Sequence, residues 1–599
     1  MLLSPFGRFK LKIARKAQPR PEEVTLDDFS GGLDLSENDL KLKSNFSKVE
    51  RNVHRDVDGT KSVRWGTKFK FDVAGTVTGT ILEMVYFRDK LIDFMTTGQI
   101  ATVTEAGVKT AIWTAAIAAA LPGAPGFWTN GLTQIDTTEF KNELVVVNGI
   151  DKPILISKTH TVTYLNDLPT GSNVNVPIAK YVTTVGNYCV MAGVAATPDV
   201  IYISSAGTSG TWPGDPAPND ALSINIASYT AQQGGDIRGL SSFRNFLIIH
   251  FATTSVIMVL GEYVSAVHKP RVLDTIPEHG IISHRTTIIL ENDILYADEL
   301  GVHKARRNTF GNALESEKIS LRVQKEFVAD VMPDSANRLK TFAVHNKSEN
   351  RVMYFLFSGT AYKIYTATYN EGVKKVAWSK KDGWSYTSGL VTTKGRVFLA
   401  RGTKMFQYGN GIFADEDYTA DDIDEDDGNW VTATAYVVGD RRRQAGIVYQ
   451  VLISHTSGTF AADLAANFWE VYVGQPISFD WEMPWTDTNN RMRKKRVSFI
   501  ALDTLGMATF TLQVYVDKIR VDALGFDDPM LEMEFVAGDS PGYGGGDQPY
   551  GGGRRAADER LWGFPVEFKI AKLRILGSTK ERLQILAISL LIAKGTFKR

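Results

Sequence analysis

The sequence predicts a mainly β chain: a propeller-like repeat of antiparallel hairpins, then a β-rich C-terminal part, with a small β module inserted between them. Three observations carry this expectation. Short apolar strand pairs recur around Asp, Asn or Gly turns anchored at Asp89, Asn142, Asn187, Asn245, Asn292, Asn350 and Gly395. Their arms are rich in Val, Ile, Tyr and Phe, and their turn residues tolerate positive φ. The anchors are 53, 45, 58, 47, 58 and 45 residues apart, close to the roughly 50-residue period of blades that hide their sheet edges by radial packing. Helical periodicity interrupts the run once: Ser316–Val331 places Ile319, Val323, Phe327 and Val331 at four-residue steps and stops before Pro333, which predicts a helix docked between blades or simply packed on them. The competing architecture is a set of unrelated meanders in one large sandwich.

Taken in order, the chain divides into an N-terminal arm and β-rich docking segment (1–75), the propeller-like domain (76–413), an acidic linker (414–428), the inserted module (429–473) and a C-terminal β region (474–599). The first twenty residues carry Arg8, Lys10, Lys12, Arg15, Lys16 and Arg20 with no acid among them and no continuous apolar stretch, so no export peptide is expected. Gly31-Gly32 permits a tight turn after the aromatic Phe29, Asp58-Gly59 closes a hairpin, and Arg64 precedes a second glycine turn at Gly66. Residues 415–427 hold nine carboxylates and no base, which reads as a solvated linker. A calcium loop on Asp422, Asp424 and Asp426 is disfavoured, because Asp427 stands where the turn glycine is needed and Ala433 where the closing glutamate is needed. In the C-terminal region Arg491, Arg493, Lys494, Lys495 and Arg496 crowd just ahead of an alternating strand pair; they are candidate docking or DNA-proximal residues.

Composition narrows the function classes. Among 599 residues, 67 basic and 67 acidic side chains cancel, which excludes a polycation clamping nucleic acid along its length. Aromatics at 11% exclude a disordered tether. Cys189 is the sole cysteine, so neither an intrachain disulfide nor a Cys-based zinc site is available. The apolar stretches Thr114–Leu121 and Leu583–Ala593 fall short of the ~20 residues that cross a bilayer, and no membrane span is expected. There is no GxxxxGK[ST], GxSxG or HExxH motif. His279 and His284 are five apart, a spacing that fits neither one helix face nor one strand face. Hence no catalytic residues, no metal and no cofactor are expected, and the chain reads as a non-enzyme.

The order Phe29-Ser30-Gly31-Gly32-Leu33, Asn52, Asp58-Gly59 and Arg64-Trp65-Gly66-Thr67, followed far downstream by Trp481-Glu482-Met483-Pro484-Trp485 and the basic stretch, resembles the tail nozzle proteins of short-tailed bacteriophages, also called tail tubular protein B or packaged-DNA stabilisation proteins. The resemblance covers about 25–413 and 476–599 through short, degenerate motifs. It implies structural roles for Phe29, Gly31, Gly32, Leu33, Asn52, Gly59, Arg64, Gly66, Trp481 and Trp485. It also implies a homo-hexameric ring below a tail adaptor, contact with tail fibres or spikes, genomic DNA passing through the channel, and a place in the virion tail after assembly in the host cytoplasm.

The insertion has its own resemblance. Trp430, Tyr436, Gly439-Asp440, Gly446, Tyr449, His455-Thr456-Ser457-Gly458 and Trp469 are similar to the small chitin-binding-like modules of phage tail proteins. That implies Trp430, Tyr449, Tyr436 and Trp469 as candidate binders of a host surface glycan. In so small a unit aromatics also have to form the core; Tyr436 and Trp469 are assigned there, and Trp430 and Tyr449 to the surface. Arg441-Arg442-Arg443 departs from the pattern, and reads as an exposed loop or an anion-facing patch with the acids at 421–427 as nearest partner. The function expected is therefore a nozzle ring subunit. The alternatives are a glycan-binding or glycan-processing tail protein, and a nucleic-acid binder acting through Arg491–Arg496.

Overall fold

The computed structural model describes residues 22–36, 41–56, 60–120, 127–165, 175–215, 220–229, 235–260, 270–277, 279–290, 293–307, 314–331, 334–370, 375–409, 411–416, 430–444, 447–472, 474–484, 495–505, 508–516, 531–537, 571–580 and 583–594. Seven four-stranded antiparallel units follow one another along it, at 81–113, 136–164, 181–225, 239–277, 288–318, 342–381 and 388–408, the last completed by 67–72. Six are separate sheets; the unit at 342–381 opens a longer one. They are blades one to seven of a propeller-like domain.

The repeat anchors are the first hairpin turns of these blades. Positive φ occurs at Arg88 and Asp89 (48° and 62°), Lys141 and Asn142 (48° and 70°), Gly186 (57°), Arg244 (56°), Asn350 (51°) and Gly395 (76°); the pairs at 88–89 and 141–142 are the two-residue turns whose backbone matches strand twist. The fifth anchor, Asn292, lies outside the described residues.

Each blade interior is buried on two faces, and the sequence shows it as uninterrupted apolar runs. In Glu143–Val147, Leu144 and Val146 pack toward blade one while Val145 and Val147 pack toward blade three. The seams continue through Leu247 and Val256 between blades three and four, Ile248 and Ile294 between four and five, Val302 and Tyr354 between five and six, Phe355 and Leu399 between six and seven, and Met405 with Met95 between seven and one. The circle closes through hydrogen bonds: Thr67–Asp72 pairs antiparallel with Lys404–Tyr408, covering the edge blade seven would otherwise expose.

The second unit is a sandwich made from both ends of the chain. Blade six meets Val49–Arg51 through the single parallel pair Lys380↔Arg51, and its sheet continues through Ile477–Glu482, Ala571–Thr579, Ala508–Val516 and Leu531–Ala537. The facing sheet holds Glu22–Leu26, Gln584–Lys594, Lys61–Val63 and Val53–Arg55, with Lys495–Leu505 also paired to Gln584–Lys594. Phe29, Val53, Phe479, Trp481, Leu512, Ile575 and Ile588 fill the space between them. A fully buried Lys61–Glu50 ion pair links the two sheets. Burial pushes the Glu50 carboxyl above its ordinary range against the opposing pull of Lys61.

Two sequence expectations are corrected here. The helix is shorter than Ser316–Val331: Leu314–Lys318 is the fourth strand of blade five, and the helix runs Gln324–Asp330. The open edge of Gly301–Arg307 recruits Leu314–Lys318 into the sheet, so tertiary pairing overrides the four-residue rhythm there. The remaining turns sit between blades five and six, with Phe327 against Tyr365 at 5.3 Å. The division at 75/76 also moves, because Thr67–Asp72 belongs to the propeller while Glu22–Val63 supplies sandwich strands. No helix among the described residues is long and apolar enough to cross a membrane.

Candidate functional site

The residues that carry the N-terminal motif converge where propeller, sandwich and inserted module meet. Gly66 lets the chain turn against 414: a Cβ there would lie 2.0 Å from the Ala414 carbonyl oxygen. That turn aims Arg64 inward. Its Nε donates to Asn52 Oδ1 (2.8 Å), its Nη1 to Asp415 Oδ1 (2.9 Å), and its Nη2 pairs with Asp415 Oδ2. This bidentate fork fixes orientation as well as charge. The guanidinium stacks on Trp384, 4.3 Å from the ring centroid, and Trp384 Nε1 donates to Asp415 Oδ2 (3.2 Å). The Thr67 backbone N–H donates to Asp415 Oδ1 (3.1 Å). Burial alone would raise the Asp415 carboxyl; Arg64 and these hydrogen bonds override it and hold the group below the usual range.

Asn52 is the second hub. Held at φ 55°, it donates from Nδ2 to the Ser478 carbonyl (2.7 Å) and accepts at Oδ1 from the Asp382 backbone N–H (3.0 Å). One asparagine thus ties the N-terminal segment, the end of blade six and the sandwich. Around this network opens a cleft of about 240 Å³, lined among others by Arg64, Trp384, Asp415, Gln475 and Ser478.

The other motif residues hold the same joint. Phe29 meets Trp481 edge to face at 4.9 Å, and Trp481 Nε1 donates to Ser47 Oγ (2.8 Å). Leu33 is buried in the seam of blades five and six, and the Gly31 N–H donates to the Asn45 carbonyl (2.9 Å). Gly32, at φ 75°, passes so close to blade six that a Cβ would lie 2.8 Å from Trp378 N. Gly59, Trp485, Arg491, Arg493 and Lys494 lie outside the described residues. Lys495 and Arg496 begin a strand whose backbone pairs with Lys594 and Ala593, inside the sandwich sheet and not ahead of it.

The module leaves and re-enters the fold at one point. Asp415 and Gln475 form an antiparallel bridge, Asp415 N to Gln475 O at 3.1 Å and Gln475 N to Asp415 O at 2.6 Å. Asp415 and Glu416 therefore are not solvated linker as their acidic run suggested: Glu416 Oε2 accepts from the Phe69 backbone N–H (2.6 Å). The rest of the run, 417–429, including the calcium-loop positions Asp422, Asp424 and Asp426, lies outside the described residues.

Within the module, Tyr436, Val451 and Trp469 are the core. Tyr436 meets Trp469 at 5.0 Å, and Trp469 Nε1 donates to His455 Nε2 (3.1 Å). Trp430 and Tyr449, expected at the surface, are half-buried with edges on Phe460 at 5.7 and 4.7 Å. A unit this small has too few apolar residues to leave them out of its core. The arginines also differ from expectation: Arg441–Gln444 is a strand, with Arg441 over the Tyr472 ring (4.2 Å) and Arg442 over Tyr436 (5.2 Å). Their cations are placed on aromatic faces, a use worth about 0.5–1 kcal/mol each at exposed sites. Val437, Val438 and Ile453 stand at 60%, 63% and 51% exposure.

Sequence reasoning missed Asp415, whose acidic neighbours mask it, and the Lys61–Glu50 pair. The one available signal for Asp415 was its mate, since an arginine fixed between two turns needs a carboxylate.

No protein-family model and no curated protein matches the chain. Among solved structures it is similar to PorZ, a bacterial surface component of the type-IX secretion system of Porphyromonas gingivalis, at 14% identity and a TM-score of 0.34, over 70% of this chain and 45% of that one. It is similar to a streptogramin B lyase at 10% identity and a TM-score of 0.36, over 58% and 98%. A third similarity is to the WD40 β-propeller domain of Doa1, at 7% identity and a TM-score of 0.33, over 59% and 97%.

Proposed function

We propose that this chain is a structural virion protein, a subunit of the tail nozzle ring of a short-tailed phage that extends the DNA-ejection channel below the tail adaptor. The supporting observation is convergence: Phe29 with Trp481, Asn52 with Ser478, and Gly66 with Ala414 lie far apart in sequence, yet all of them brace one joint between propeller and sandwich. Their polar groups are engaged with one another, as suits a rigid bracket. Zero net charge agrees with a conduit, since a strongly basic wall would hold DNA through counterion release and slow its passage.

In this reading the module is an outward accessory for a fibre or spike. Trp430 and Tyr449 give one edge to Phe460, while Val437, Val438 and Ile453 offer apolar surface suited to a protein partner. The test is imaging of the purified protein, alone and mixed with its adaptor. A ring with a central hole is expected in at least the mixture; a chain that stays monomeric in both, or that turns over capsule or lipopolysaccharide on its own, overturns the reading.

A further inference from the structure

The geometry points to a transition-metal site of the zinc class, built by His279, Asp298 and His303 at the seam between blades four and five. His279 follows the last strand of blade four, Arg271–Pro277. Asp298 and His303 sit on the adjacent strands Asp293–Asp298 and Gly301–Arg307 of blade five, joined by a tight turn. Each offers one ligand atom, and these atoms all lie within 4.8 Å of one another. Two imidazoles and one carboxylate are a donor set suited to Zn²⁺, with a fourth position left for water.

The side chains are prepared for that use. Asp298 Oδ1 accepts from the Leu300 backbone N–H (2.8 Å), which leaves Oδ2 facing His303 Nε2 at 2.9 Å. Asp298 and His303 are 2% and 1% exposed. Yet among the described residues neither ring nitrogen of His303 has a hydrogen-bond partner, so the approach of Oδ2 lacks hydrogen-bond alignment. A buried imidazole left this way is costly, and a cation between the three groups removes the cost. The rings are fixed from outside: His279 meets His303 at 4.2 Å, nearly perpendicular, and Tyr296 stacks on His303 at 5.6 Å. The backbone of His279 is anchored as well. Its carbonyl accepts from Ser255 Oγ (2.7 Å), which also contacts His250 Nδ1 (2.9 Å), while His250 Nε2 contacts Ser241 Oγ (2.8 Å). Such outer contacts orient metal ligands. His279 is only partly buried, which provides an entry path.

The location supplies a reason. Among the described residues this seam has the smallest apolar cluster of the seven, eight buried residues against fifteen between blades one and two. An ion bound by one blade-four and two blade-five ligands staples it. The pair weighed in the sequence, His279 with His284, is not the site: His284 Nε2 contacts the Ile135 carbonyl (3.1 Å) and its ring packs on Tyr181.

The test uses the full chain stripped of metal, then titrated with Zn²⁺ alone and with Co²⁺ alone. One tight equivalent per chain is expected, with visible d–d absorption for Co²⁺ and a rise in melting temperature on adding Zn²⁺. His279→Gln, at the most exposed ligand, and the isosteric Asp298→Asn should each weaken Zn²⁺ by at least about tenfold. If either variant misfolds, the wild-type Co²⁺ spectrum decides. No stoichiometric Zn²⁺ or Co²⁺ binding by the wild type, or unchanged affinity in both folded variants, overturns the proposal and leaves a His303–Asp298 ion pair in its place.

Discussion

Asp93 stands in the middle of a blade-one strand with no exposed surface, and among the described residues neither carboxylate oxygen has a hydrogen-bond partner. It shares the strand face of Leu91 and Met95, which packs against blade seven. Burial pushes its pKa from 3.8 up to about 8, and burial, then the charge of Glu83, brings Asp136 up to about 7. The folded state keeps the Asp93 proton while the unfolded state loses it, so stability falls as pH rises from about 4 to about 8 and the full penalty holds above that. Asp93→Asn should therefore match the wild type near pH 4 and exceed it at pH 9 by several kcal/mol, at about 1.4 kcal/mol for each pH unit between the unfolded and folded values. Denaturant midpoints at both pH values check this; an equal deficit at both would refute it. None of this was legible in the sequence, where Asp93 reads as an ordinary polar residue of an alternating strand. Tyr436 and Trp469 were legible as core, because a module so small has few other apolar side chains. The placement of Trp430 and Tyr449 was not, since it depends on Phe460 reaching both rings.

At the scale of elements, the hairpin turns were read best. A turn of positive-φ residues is a local demand met by local residues, so Asp89 and Asn142 in two-residue turns, and Asn350 alone at its turn, announce themselves. The helix was read worst at its start, because Leu314–Lys318 answers to a neighbouring strand edge and not to its own rhythm. The insertion follows the same logic at larger size. Its ends pair directly through Asp415 and Gln475, so replacing 417–473 by a short Gly-Ser linker, with Glu416 kept on the closing strand, should leave the rest folded. The expected outcome is an unchanged β signature by circular dichroism and a melting temperature within about 5 °C of the wild type. Loss of soluble, cooperatively melting protein would show that the module is part of the scaffold.

For the whole molecule, the period predicted the propeller-like domain but not its closure. Thr67–Asp72 and Lys404–Tyr408 are more than 300 residues apart, and nothing local marks one as the other's partner. The same holds for the sandwich, where Val49–Arg51 inserts between blade six and Ile477–Glu482. This gives a sharp comparison between two fragments. Residues 67–416 include the closing strand and should melt cooperatively. Residues 76–416 leave the edge of blade seven open and should aggregate or melt on the order of 5–10 °C lower. Equal melting of the two would mean that the seven seams suffice without the closing ladder. Glu22–Leu26 pairs with Gln584–Lys594, residue Glu22 opposite Ile592 and Leu26 opposite Ile588. On a ribosome, that early strand must wait until a partner more than 550 residues later has emerged. A chain cut before Gln584–Lys594 leaves Glu22–Leu26, Lys61–Val63 and Lys495–Leu505 without the strand they all pair with.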